Sequence, residues 1–284
     1  MEARLQRWVQ RQGWDRASSC YEQYWQRQLR PAVDLVLATA DLRPGEHVID
    51  VACGTGMVTL PAAASVAPNG RVLAVDLSPK MVADVARRAS AESTGDIEFA
   101  CRDAEDLGDV GSFDVALCSL GLMYVPDPFV AASELQRVLR PGGRVVVSVW
   151  GERRNCGWAQ LFPIVAARVS SDVCPMFFAL GAPGALATTL ARAGFVDVDE
   201  TRLDSELQYA SDDEAIGAAF IGGPVALASS RFDDDARRSA YAEYLASIGD
   251  FAEGTGYRVP GEFVVVSARR ADREGRSDSN QIHT

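Results

Sequence analysis

The sequence predicts an α/β fold: a doubly wound, mostly parallel sheet with helices on both faces. Three observations predict it. From about residue 46 to 150, short apolar runs alternate with longer amphipathic ones. The short runs are nearly continuous in apolar residues, as strands covered on both faces must be. Glycine, proline and capping residues stand where each strand must give way to a helix. At 284 residues, 48% hydrophobic and 24% charged, the chain has enough apolar material for a sizeable core and lacks the composition of a disordered protein.

Residues 1–40 read as helical and carry Trp8, Trp14, Tyr21, Tyr24 and Trp25, a dense set of large rings. The run HVIDVA is the first strand and MVTLPAAASVA the helix after it. RVLAVDL is the second strand. SPKMVADVARRAS follows as a helix, with Ser78 as N-cap and Pro79 at the first position, where its missing N–H costs nothing. IEFACRD and FDVALCSL are the third and fourth strands; DPFVAASELQRVLR is a helix expected to stop at Pro141-Gly142-Gly143, and RVVVSVW is the fifth strand. Beyond it PGALATTLARAGF is a helix closed by Gly194, and VDVDETRL is a strand. The segment 211–250 reads as polar and helical, EFVVVSARR as the last strand, and the polar ADREGRSDSNQIHT as a flexible tail. No internal repeat or low-complexity linker interrupts this order. The expected organisation is therefore a helical segment 1–40, a sheet domain 41–270 with helical insertions around 152–185 and 211–256, and a tail 271–284.

With 28 basic against 39 acidic residues, the net charge of −11 gives a surface that repels phosphate backbones and anionic membranes, so nucleic acid is not expected as a partner. The amino-terminal MEARLQRWVQRQGWDR lacks the apolar core of a secretory signal, and no run approaches the ~20 apolar residues of a membrane span. A cytoplasmic protein without membrane insertion is expected. Cysteines 20, 53, 101, 118, 156 and 174 contain no C-x-x-C pair and read as small core residues in a reducing compartment, with no disulfide and no metal.

The chemistry concentrates after the first strand. Gly54 and Gly56 sit where the backbone turns tightly into a helix and a ligand can approach without meeting a Cβ. A dinucleotide fingerprint would need a third glycine where Thr59 stands, and the carboxylate of Asp50, read as part of this loop, would repel a pyrophosphate and favour a cationic group. Asp76, ending the second strand, is placed to accept from both hydroxyls of a ribose. Asp103 and Ala104 follow the third strand and suit the exocyclic amine and ring nitrogen of adenine, with Leu77 and Met81 bracketing the base. Amine, ribose and adenine without phosphate describe S-adenosylmethionine.

These residues carry a resemblance. VIDVACGTG (48–56), VDLSPKMV (75–82), CRDAEDL (101–107), FDVALCSLGLMYVPDP (113–128) and LRPGGRVVVSVW (139–150), in that order, resemble the class I S-adenosylmethionine-dependent methyltransferases, particularly the branch of ubiquinone and menaquinone biosynthesis. The resemblance implies a Rossmann-like, seven-stranded sheet with two strands after the fifth, the last antiparallel. It places the backbone around Ala52 and Gly54 at the methionine portion, with Cys118 beside it, and Leu120 and Tyr124 on the acceptor side. The aromatics of residues 8–25 suit either core-covering residues of a helix or, as the resemblance implies, a lid whose Tyr21, Tyr24 or Trp25 closes over the cofactor. The sequence departs from the pattern at Ala52-Cys53, where a third glycine often stands.

The acceptor is a small molecule whose reacting atom, nitrogen, oxygen, sulfur or carbon, the motifs leave open. Packing fits Cys118 as well as ligand contact does. Arg153 and Arg154 suit either an acidic acceptor or a solvated pair, and PMFFALGAP and AFIGGPVALA suit either pocket walls or buried connections. His47 begins the first strand, at the sheet edge opposite the ligand, and His283 lies in the tail, so neither is placed as a base. Catalysis by proximity and orientation is expected, with Tyr124 a candidate for any proton transfer. Three other readings remain: a non-catalytic S-adenosylmethionine-binding sensor or partner subunit, an NAD-dependent oxidoreductase disfavoured by Thr59 and Asp50, and metalloid methylation through Cys20, Cys156 and Cys174, whose spacing matches no known pattern.

Overall fold

The computed structural model describes residues 2–92, 95–169 and 177–272. Strands β1 (His47–Val51), β2 (Arg71–Asp76), β3 (Asp96–Cys101), β4 (Phe113–Ser119), β5 (Leu139–Trp150), β6 (Phe195–Tyr209), β7 (Ala252–Glu253) and β8 (Gly256–Arg270) form one sheet. Its order is β3-β2-β1-β4-β5-β8-β6, with the two-residue β7 added to β8. Neighbours from β3 through β5 are parallel, whereas β8 runs antiparallel between β5 and β6. The expected seven strands with an antiparallel last strand are present, and β7 is the addition. Central strands are covered on both faces, which explains their unbroken apolar runs: in β1 every residue after His47 is buried. Chain order reverses beside β1, with β2 on one side and β4 on the other, and such a reversal opens a crevice at the carboxyl ends of the strands.

Helix α1 (Ala3–Ala40) is a single 38-residue element that carries Pro31 inside it. Its second half inserts Leu29, Ala32, Val33 and Val36 into the core. Its first half reaches across the carboxyl ends of the sheet, as the contacts below show. Helix α2 (Thr59–Val66) starts two residues later than the apolar pattern suggests, because Met57 and Val58 complete the glycine turn. Helix α3 (Pro79–Glu92) is capped as expected: the Ser78 Oγ accepts from the Met81 N–H at 3.1 Å.

Helix α4 (Pro128–Val138) is capped by Asp127, which accepts from the Phe129 N–H at 2.9 Å. It stops at Val138, before the Pro-Gly-Gly expected to end it, because buried Leu139 is already extended and paired with Phe113 of β4. Arg140 precedes a proline, which also disfavours helix there. Beyond β5 come α5 (Leu161–Ala166), α6 (Ala185–Arg192), α7 (Asp212–Ile216), α8 (Ala226–Ser229) and α9 (Asp234–Ser247). The segment 211–250 is helical but less polar in its setting than it reads: Ala215, Ala218, Ala219, Phe220, Val225 and Ala226 are buried. Cys53, Cys118 and Cys156 are core residues, but Cys101 is exposed because β3 is the edge strand. Cys174, most of the expected tail and His283 lie outside the described residues.

Gly56 shows how the glycine turn is packed. Its φ is +93°, and a Cβ there would stand 2.5 Å from Cγ2 of Val85 on α3. Gly56→Ala should therefore lower stability by about 2 kcal/mol, combining an unfavourable φ with overpacking. That corresponds to a melting temperature roughly 4–8 °C lower. A thermal melt within one degree of the unaltered protein would contradict the close approach.

Candidate active site

The loop after β1, the tips of β2, β3 and β4, and the first half of α1 border one open cleft. Asp76, the last residue of β2 and 8% exposed, ties two loops together at its floor. The Gly54 N–H donates to its Oδ2 at 2.9 Å and the Ser78 N–H to its Oδ1 at 2.8 Å. Burial pushes its carboxyl up to about 6 against these hydrogen bonds. Leu77 and Met81 continue this wall, and Asp103 and Ala104 line the cleft as well. Asp103 lies beyond β3 in a turn bridged to Asp106. The Glu105 N–H donates to its Oδ1 at 2.9 Å, and Arg7 Nε stands 2.6 Å from its Oδ2.

Ala52 and Gly54 line the same cleft with φ of +58° and +54°, and the space where a Cβ on Gly54 would stand is open. Leu120, just past β4, also has φ +58°. A non-glycine residue in this region costs on the order of 1 kcal/mol, and such conformations concentrate at ligand sites. Gly121 beside it admits no side chain: a Cβ would stand 2.6 Å from Ala52 Cβ and 2.7 Å from Cys118 Sγ.

Several expected site residues are placed differently. Cys118 is fully buried behind Gly121, and Ser119 lines the cleft in its place, because successive strand residues face opposite ways. Gly56 packs on Val85 and does not line the cleft. Asp50 lies within β1, not in the loop. It is 1% exposed, accepts from Thr59 Oγ1 at 2.6 Å, and burial pushes its carboxyl up to about 7. It borders a smaller compartment that shares Tyr21, Leu29, Ala52, Gly54, Ser119 and Leu120 with the main cleft. Arg153 and Arg154 sit on an exposed turn outside the lining, where Arg154 pairs with Glu152 at 2.6 Å.

Helix α1 supplies Arg7, Gln10, Trp14, Tyr21 and Trp25 to the lining. Polar clasps hold it across the strand tips. Arg7 joins Asp103 and Glu105, Asp15 accepts from Ser78 Oγ at 2.6 Å, and Glu22 accepts from Thr55 Oγ1 at 3.0 Å while pairing with Arg88. Further along, the Gln28 amide exchanges two 2.7 Å hydrogen bonds with the Gln208 backbone. Tyr24 turns away and packs against Gly217 and Gly222. The remaining wall is aromatic: Tyr124, Trp150, Trp158 and Phe177, with Pro224 beside them. Phe177 and Pro224 belong to the two apolar, glycine- and proline-rich segments. Sequence reasoning missed Arg7, Gln10, Ser119, Trp150 and Trp158. The tryptophan ending β5 was a readable signal, since strand ends at this edge face ligand; Trp158 offered none. His47 is at the opposite edge, its ring 3.2 Å from Arg140. The Tyr21 hydroxyl is pushed well above its ordinary value, first by burial and then by Asp76.

Among the described residues no helix is long and apolar enough to cross a membrane. A family profile described as "Methyltransferase domain" matches residues 48–143. The chain is 30% identical over 255 residues to nocamycin O-methyltransferase of Saccharothrix syringae, covering 84% of this chain and 91% of that protein. It is 40% identical over 112 residues to demethylmenaquinone methyltransferase of Symbiobacterium thermophilum, covering 39% of this chain and 45% of that one. Among solved structures, phosphoethanolamine N-methyltransferase 2 of Haemonchus contortus, bound to S-adenosylmethionine, superposes with a TM-score of 0.59 at 16% identity, over 91% of this chain and 57% of that one.

Proposed function

Because the chain belongs to the class I S-adenosylmethionine-dependent methyltransferases, we propose that it methylates an oxygen of a small, largely apolar molecule. The supporting observation is one continuous cleft that begins at Asp76, Leu77, Met81, Asp103 and Ala104 and ends among Tyr124, Trp158 and Phe177. The name of the Saccharothrix relative, an O-methyltransferase, supports oxygen as the reacting atom.

The residues present fit the cofactor. Asp76 accepts from the backbone around it and keeps acceptor capacity for a ribose hydroxyl, and Gly54 leaves open the space that a side chain would fill. Asp103 and Ala104 would meet the adenine edge, and Leu77 and Met81 its faces. The carboxylate of Asp50, beside the smaller compartment, would favour a cationic group there. When bound, S-adenosylmethionine supplies the methyl group: the acceptor's lone pair bonds to the methyl carbon as the carbon–sulfur bond breaks and its electron pair stays on sulfur. The chain's own contribution is to align the acceptor and exclude water. Helix α1, clasped over the strand tips, acts as the lid. The ionisable groups of the described wall are Arg7, Arg102, Asp76, Asp103, Tyr21 and Tyr124. None is an imidazole, and Tyr21 is a poor base at its raised value, which leaves Asp76, Asp103 and Tyr124 for any proton transfer; an acceptor that arrives already nucleophilic needs none of them.

Titration calorimetry tests the reading. S-adenosylhomocysteine should bind with one-to-one stoichiometry and NAD should give no heat. Heat with NAD and none with S-adenosylhomocysteine would sink the proposal. Tight binding with no turnover of any acceptor would favour the sensor reading.

A further inference from the structure

The smaller compartment beside the cleft is lined by Tyr21, Leu29 and Val33 of α1 together with Ala52, Gly54 and Thr55 of the glycine turn. One side-chain network ties these two parts of its wall together. Thr55 Oγ1 donates to Glu22 Oε1 at 3.0 Å, and Arg88 Nη1 pairs with the same Glu22 oxygen. That nitrogen also donates to the Thr55 carbonyl at 2.8 Å, so the three contacts close a ring between α1, the turn and α3. Thr55 is 3% exposed and the Arg88 side chain 19%, which shelters the ring from much of the screening that weakens surface pairs. The ring stands where the backbone is least able to hold itself. Gly54 and Gly56 flank Thr55 with φ of +54° and +93°, and glycine has more conformational freedom to lose than any other residue. Between them Thr55 alone offers a side chain to grip.

We propose that Glu22 and Arg88 are positioning residues for the amino-acid half of the cofactor. Their ring fixes the glycine turn against α1, and with it the place of the sulfur that carries the methyl group. The inference rests on the methyltransferase reading above. Neither side chain lines the cleft or the smaller compartment, so each acts through Thr55. The ribose and adenine contacts proposed above come instead from Asp76, Leu77, Met81, Asp103 and Ala104, at the tips of β2 and β3 and in the segments after them. Removing one member of the ring leaves another without its partner in a sheltered place. The turn then loosens without unfolding the sheet, because Val85 still packs against Gly56 and Asp76 still accepts from the Gly54 N–H. The effect therefore falls on one end of the ligand.

Two ligands separate the halves. S-adenosylhomocysteine carries both, whereas 5′-methylthioadenosine keeps the nucleoside and the sulfur but lacks the amino-acid group. S-adenosylhomocysteine is titrated into the full chain by calorimetry, and methylthioadenosine affinity is read from its displacement of S-adenosylhomocysteine. Glu22→Ala and Arg88→Met should each weaken S-adenosylhomocysteine roughly tenfold and leave methylthioadenosine within about twofold. Thr55→Ser, which keeps the hydroxyl, should leave both ligands within about twofold. A merely structural role would weaken the two ligands by the same factor. Equal losses, or full S-adenosylhomocysteine affinity in either variant, overturn the inference. So does a methylthioadenosine that displaces nothing from the unaltered protein, because the nucleoside wall would then not bind on its own. Should Arg88→Met or Glu22→Ala fail to fold, Glu22→Gln, which keeps the size and removes the charge, either gives the same split or overturns the inference. An unaltered protein that does not bind S-adenosylhomocysteine strikes the underlying reading; intact binding without the split strikes only this one.

Discussion

Replacing Asp76 with alanine should weaken S-adenosylhomocysteine binding by roughly 100-fold or more while shifting the melting temperature by only a few degrees. Two hydroxyl-to-carboxylate hydrogen bonds in a buried site contribute about 3 kcal/mol together, and 1.4 kcal/mol is a decade in affinity. Stability moves less because two effects oppose each other. The substitution deletes the acceptor of the Gly54 and Ser78 N–H groups, but it also removes a carboxylate whose burial is unfavourable. The sign follows from its raised value of about 6. The native state holds a proton the unfolded chain has already released, so this group costs stability as pH rises from about 4 through 6. Asp50, raised to about 7, behaves the same way one step higher. Both carboxylates are charged at pH 8 and largely neutral at pH 5, so affinity for the cationic S-adenosylmethionine should fall about tenfold or more over that interval. Calorimetry across pH on both proteins checks this. An Asp76→Ala protein that binds within twofold of the original would remove Asp76 from the site.

Glu262→Ala should lower stability by about 3 kcal/mol at pH 7, or roughly 6–10 °C in melting temperature. Glu262, on β8 and 5% exposed, accepts from Arg202 Nε at 3.1 Å and Nη2 at 2.8 Å, from Asn155 Nδ2 at 3.0 Å and from the Glu152 N–H at 2.8 Å. Burial opposes its charge, but these hydrogen bonds outweigh burial and hold the carboxyl down at about 2. Its depressed value means that its contribution is complete above the ordinary glutamate range and is lost as pH falls toward 2. The gap between variant and original should therefore narrow from pH 7 to pH 3. The cluster fastens β8 to the chain leaving β5, which leads directly to Trp158. Cofactor affinity should stay within about twofold, because Asp76 and the glycine turn are untouched. A melt unchanged at pH 7 would show that the cluster is solvated in practice.

The sheet was legible because its signal is one-dimensional. Each buried strand announces itself by an apolar run, and the tips of β1, β2 and β4 follow by register. Gly54, Asp76, Leu77, Met81 and Ala104 could be placed in the cleft for that reason. The sequence leaves the matter open where a single residue's facing decides it. Cys118 and Ser119 differ by one step along β4, and one step reverses the face. Asp50, expected close to the glycine loop, lies buried two residues before it, within β1. Arg7 and Trp158 could not be read at all: they reach the cleft from a helix start and a short turn whose positions depend on long-range docking. Nothing local in MEARLQRW records that its arginine will find Asp103.

Helix α1 is held by two unlike kinds of contact. Arg7, Asp15 and Glu22 fix its leading half through charged and polar groups near water, whereas Leu29 to Ala40 fix its trailing half through apolar burial. Dissolved salt therefore acts on one helix in opposite senses: sodium chloride screens the leading attachments, while sulfate reinforces the trailing ones. Buffer composition alone can loosen the mouth of the cleft without touching the protein's foundation.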